Sequence, residues 1–222
     1  MDADPTAETF LNRLHREATQ AGGTVPMRVI FALAKEMIDM PVTGIEALLD
    51  HPDHDVRVGA VSIMDWQARR RRTPPEHRRQ LFELYLRRHD RIDNWDLVDR
   101  CAPHVVGGYL YDKSRQPLYR LAHSASQWER RTAIVATYYF IRLGDLHDTF
   151  AIADLLAHDP ADLVQKAVGG WVREAGKRDQ PALLGFLDRN AATMPRTALR
   201  YAVEHLPPET RQHYMQLHRN IA

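Results

Sequence analysis

Apolar residues return with a period near 3.6 through seven long stretches of this 222-residue chain, and that single pattern narrows its fold to all-α. The stretches run from Glu8 to Ala18, Met27 to Met37, Val56 to Ala68, Glu76 to Arg87, Trp128 to Arg142, Leu163 to Ala175 and Thr197 to His205. Helix breakers fall between them: Gly22-Gly23, Pro52, Pro74-Pro75, Pro103, Pro160, Pro181, Pro195 and Pro207-Pro208. No stretch offers a strand pair or a hairpin turn. No Pro/Gly/Ser-rich linker divides the chain, so residues 1–222 read as one domain.

A weak repeat runs beneath this pattern. Val58-Gly59-Ala60-Val61, Arg131-Thr132-Ala133-Ile134, Gln165-Lys166-Ala167-Val168 and Arg196-Thr197-Ala198-Leu199 each set a small Ala inside an amphipathic helix. The steps between the alanines are 73, 34 and 31 residues, the first about twice the others. That spacing suits a repeated helix pair of roughly 35 to 45 residues. Such pairs stack into a superhelical solenoid with a concave face. An irregular helical bundle is the competing architecture.

Composition removes several function classes. A single cysteine, Cys101, rules out an internal disulfide and any Cys-based zinc cluster, and fits a reducing cytoplasm. The acidic start, Met1 to Pro5, has no apolar core and is no signal peptide. Apolar runs such as Val29 to Ala34 are too short to span a bilayer. Net charge is only +1, but residues 1–112 carry −3 and residues 113–222 carry +4. A basic surface should therefore be local and lean C-terminal.

Arg57, Arg130, Arg131, Lys166, Arg173, Arg196 and Arg200 recur at related positions of the repeat helices. On a concave face they would form a phosphate-binding stripe; individually each also suits a solvated helix face. Arg69-Arg70-Arg71-Arg72 reads as a solvated helix end, where cations meet the dipole favourably, though it could reach a phosphate. The twelve histidines contain no HExxH and no metal spacing, and Gly107-Gly108 and Gly169-Gly170 lack the strand that a nucleotide-binding loop needs. Cys101, Trp66 and Trp128 read as core.

Asp93-Asn94-Trp95-Asp96-Leu97-Val98-Asp99 carries the most specific chemistry. Asn94 suits a helix N-cap, which places Trp95 and Asp99 one turn apart on one face. An aromatic beside a carboxylate receives something planar and cationic. The plainer alternative is a capped helix with a buried Trp and an Asp paired to an Arg.

Taken in order, Leu84-Tyr85-Leu86, Asn94 to Asp99, Trp128 to Ile134, Lys166-Ala167-Val168-Gly169, Arg173-Glu174 and Met194 to Tyr201 resemble the AlkD-like DNA alkylation repair family of HEAT-like-repeat glycosylases. The resemblance covers about Val56 to Leu206. It implies a superhelix that holds duplex DNA and hydrolyses the N-glycosidic bond of positively charged N3- and N7-alkylated purines, as a monomer and with no metal or organic cofactor. It gives Asp99 the role of catalytic carboxylate, Trp95 that of the aromatic against the lesion deoxyribose, and Arg131 and Arg173 a place facing DNA. The alternative functions are a non-catalytic binder of damaged or branched DNA, and a protein-binding scaffold.

One position departs from the family. Directly after the Gly of its Lys-Ala-x-Gly motif the family commonly has a second active-site Trp; here Gly170 stands there and Trp171 follows. One residue along a helix is a rotation of about 100°. Either the paired glycines reshape the helix so that Trp171 reaches the lesion, or one aromatic wall is absent.

Overall fold

The structure, a computed structural model, describes residues 5–217, and every regular element among the described residues is helical. The chain divides into two compact units, one ending at Tyr109 and the other beginning at Leu110. The first holds α1 (Ala7–Gln20), α2 (Met27–Glu36), α3 (Val42–Leu49), α4 (His54–Arg69), α5 (Pro75–Arg87) and α6 (Trp95–Ala102). A π turn, Pro103–Gly107, and a single helical turn, α7 (Gly108–Leu110), continue α6.

Local chemistry starts and stops these helices. The Thr6 hydroxyl accepts the Thr9 N–H at 3.1 Å and the Asp53 carboxylate accepts the Asp55 N–H at 2.9 Å, satisfying donors that a helix start leaves over. Pro75 opens α5, where a missing N–H costs nothing. After α1 the chain turns at Gly22 and Gly23 with φ of 74° and 118°, a region that side chains disfavour. In the interior, α2, α4 and α6 lie side by side as one layer, and α1, α3 and α5 as the other. Phe10 of α1 is fully buried against α4 at Gly59, where a Cβ would run into the phenyl ring. Truncating a phenyl ring so enclosed costs about 3–5 kcal/mol.

The second unit repeats the plan with α8 (Gln116–Ala122), α9 (Gln127–Ala136), α10 (Tyr138–Arg142), α11 (His147–Leu155), α12 (Asp162–Gly176), α13 (Gln180–Asn190), α14 (Arg196–Ala202) and α15 (Pro208–Leu217). Here α9, α12 and α14 form one layer and α8, α11 and α13 the other. Each unit is thus a stack of helix pairs, the unit from which a solenoid is built. Ala60, Ala133, Ala167 and Ala198 are all buried, and they sit on α4, α9, α12 and α14 of the corresponding layers. The expected helix from Trp128 to Arg142 is broken at Thr137. This residue is fully buried and its hydroxyl donates to the Ile134 carbonyl at 2.7 Å, bending the chain by competing for a helical acceptor.

Candidate active site

The first turn of α6 is built as the sequence requires. Asn94 is extended (φ −147°, ψ 155°) and its side-chain oxygen accepts the Trp95 N–H at 2.7 Å. Leu97, Val98, Cys101 and Ala102 turn inward and are completely buried. Residues 95 and 99 stand about 200° round the helix from Leu97. Trp95 is therefore half exposed, at 50%, while Asp99 sits partly buried one turn later. Exposing half an indole forgoes a large part of the 1.5–3 kcal/mol or so that burying a large apolar side chain provides.

The segment is also held from both sides of Trp95. Asp93 pairs with Arg57 at 3.1 Å and Asp96 with His54 at 2.7 Å, both partners lying in the first turn of α4. Arg57 further donates to the carbonyls of His51 and Pro52, at 3.5 and 3.3 Å. Its side chain is only 11% exposed. Arg57 thus fastens the loop before α4 to the loop before α6, and its guanidinium is engaged within the protein. The pairing pattern was not legible from sequence, because Arg57 and Asp93 are 36 residues apart.

Most of the other cations anticipated as phosphate ligands are likewise engaged, all inside the second unit. Arg130 makes two contacts to the buried Asp159 carboxylate, at 2.6 and 3.1 Å, and donates to the carbonyls of Ser124 and Ala125. Arg131 is buried and donates to the Leu163 carbonyl, tying α9 to α12. Arg173 pairs with Glu204 and, at 3.4 Å, with Glu174. Lys166 pairs with Asp162 at 2.6 Å and stays partly in solvent, and its hydrogen bond to that carboxylate holds its pKa above the ordinary lysine value. Arg196 and Arg200, one turn apart on α14, are exposed, and no ion pair forms at either among the described residues.

At the paired glycines α12 runs on without a break. Gly169 is packing: a Cβ there would run into the Ala198 carbonyl oxygen and the Tyr201 Cβ of α14. Gly170 is different, since a Cβ would meet nothing within 4 Å. Trp171 points elsewhere, its indole N–H donating to the Val135 carbonyl at 3.0 Å and its ring 5.7 Å from Tyr138. The unbroken helix keeps the 100° offset, so Trp171 packs on α9 and α10 and leaves position 170 without an aromatic.

Trp66 corrects a sequence expectation. It is not core but half-buried, as is Trp128, and three cations lie against the Trp66 ring, a grouping that sequence positions 35, 69 and 100 gave no reason to join. Cys101 does pack quietly: it is completely buried, and burial pushes its thiol pKa well up. Among the described residues no cluster of His, Cys, Asp and Glu could hold a metal ion, and no helix is long and apolar enough to cross a membrane.

The fold is all-helical, built of stacked pairs, and it carries an exposed Trp95 one turn from the partly buried Asp99 on α6. The model of the family described as DNA alkylation repair enzyme matches residues 2–206, and the chain belongs to that family. Its role is accordingly in DNA repair. No curated protein matches the chain.

Proposed function

We propose that the protein is a monofunctional DNA glycosylase that releases N3- and N7-alkylated purines from duplex DNA, acting as a monomer. The observation that carries this reading is the exposed Trp95 ring set one turn before Asp99, on a helix start clamped by Arg57 and His54. Alkylation at N3 or N7 makes the purine cationic and a good leaving group, so no general acid is needed. As the glycosidic bond breaks, positive charge moves to the sugar, and a fixed anion nearby stabilises that transition state more than the ground state. A carboxylate about 4 Å from a unit charge contributes roughly 4 kcal/mol at an effective dielectric near 20. Wholly specific to the transition state, this is on the order of 10³-fold in rate. Asp99 supplies that anion, and it also suits alignment of the attacking water. Trp95 covers the sugar and excludes bulk solvent. The reaction calls for no metal or organic cofactor. Lys166 of α12 and Arg196 and Arg200 of α14 have side chains that reach solvent, and they are assigned to phosphates.

The test is chromatography of bases released from methylated duplex DNA. The wild type should free 7-methylguanine or 3-methyladenine. Asp99→Asn should cut the rate by about 10³-fold while DNA affinity and helicity hold. Undiminished release by Asp99→Asn removes the carboxylate from the chemistry. The open position at Gly170 favours a second reading, a binder of damaged or branched DNA that does not cut it. Gly170→Trp and Trp171→Ala, compared in the same assay, separate the two. Faster release by Gly170→Trp means that the absent aromatic limits catalysis, while damage by Trp171→Ala alone means that Trp171 serves in its place. If the wild type and Gly170→Trp both bind damaged DNA without releasing a base, the protein is a binder.

A further inference from the structure

The α2–α4–α6 layer of the first unit carries a cluster that the catalytic reading does not use. Lys35 of α2 and Arg69 of α4 lie over the Trp66 ring, with 5.3 and 5.8 Å from charge to ring centroid. Arg100 of α6 lies 5.3 Å from the same centroid and 4.4 Å from that of Phe31. Each distance is within cation–π range. One carboxylate, the fully buried Asp65, serves the group: it pairs with Arg69 at 2.8 Å and Arg100 at 3.4 Å. Lys35 has no carboxylate within ion-pairing distance among the described residues, and its side chain is exposed. Three cations against one anion leave two positive charges unbalanced, in a half of the chain whose net charge is −3. Trp66 Nε1, Arg100 Nη2 and Asp65 Oδ2 are buried without a hydrogen-bond partner.

We propose that Lys35 and Arg69, mounted on Trp66 and backed by Arg100, form a phosphate-binding site for the backbone of duplex DNA. This rests on the DNA-acting role assigned to Asp99, the residue that directly precedes Arg100 on α6. A phosphodiester is an anion, which is what a surplus of cations lacks. With cations against the indole, Trp66 orients charge and is not a platform on which a base stacks. The site therefore adds affinity without base preference.

Lys35 gives the clean test, since removing it breaks no ion pair. Binding of an unmodified duplex is followed by fluorescence anisotropy between 50 and 200 mM salt. Lys35→Gln should lower the slope of log K against log salt by about 0.9 and weaken affinity about threefold; Lys35→Glu should weaken it further. Arg69→Lys, which keeps the charge, should stay near wild type. The same effects on duplexes of different sequence complete the expected result. Wild-type slope and affinity in both Lys35 variants overturn the site. So does displacement of the protein from nothing but a polyglutamate competitor, which marks the patch as a contact for an acidic protein. Absence of base release from the wild type, with the Lys35 slope change intact, overturns the glycosylase reading and leaves the phosphate site standing.

Discussion

The two helical units share a plan of paired layers, but in each the charge of the sequence and the charge left after packing differ. The second is the more basic in sequence, yet it spends Arg130, Arg131 and Arg173 on its own carboxylates and carbonyls. The first is acidic in sequence, yet it gathers Lys35, Arg69 and Arg100 around one indole with a single carboxylate between them. Net charge per half therefore says little about where a polyanion lands. What matters is which cations remain unneutralised after the helices have packed, and burial of a pair takes its members out of that account.

The sharpest way to break this contrast is to remove an internal partner. Asp159→Ala should destabilise the protein by about 3–5 kcal/mol, because it strands the mostly buried Arg130 guanidinium. Denaturant midpoints check this, and an unchanged midpoint would show Arg130 to be free for a ligand after all. Next in size is Gly169→Ala, which should cost about 1–3 kcal/mol as α14 is pushed off α12. Arg57→Ala should slow base release about tenfold, the equivalent of some 1.4 kcal/mol in the barrier, through loss of the clamp beside Trp95. Affinity for unmodified DNA and its salt slope should hold, and a slope lowered by about one unit would make Arg57 a phosphate ligand instead. A smaller effect is expected from Arg196→Ala: unaltered stability, with duplex affinity about threefold weaker at moderate salt. The unaltered stability contrasts with that of Asp159→Ala, and equal destabilisation of the two variants would dissolve the comparison.

Much of the fold was legible in the sequence because long amphipathic helices announce themselves. The stretch Leu163 to Ala175 lies within α12, and Met27 to Met37 matches α2 to within a residue. What escaped was short or lacked a clean stripe. On α11, Asp148 and Thr149 are buried beside Ile152 and Ala153, so polar and apolar residues share the inner side and the period fades. At α6 the cap and the Trp95–Asp99 register followed directly from Asn94 and helical spacing. The fates of the arginines did not. Whether a guanidinium meets solvent or a carboxylate 29 residues away, as Arg130 meets Asp159, depends on which helices become neighbours. The trio on Trp66 was hidden for the same reason, since α2, α4 and α6 each supply one cation.

The adjacent glycines of α12 carry a last consequence. Gly169 is held in place by its neighbour, so nearly any replacement is punished; Gly170 has a rigid backbone beneath it and empty space ahead of it. Such a position behaves like a threaded socket on a fixed mount. Side chains of different reach could be screwed in one at a time to vary what the protein touches, with the scaffold unchanged behind them. Even alanine there should firm the helix by roughly 1 kcal/mol, so the adjustments begin from a gain in stability.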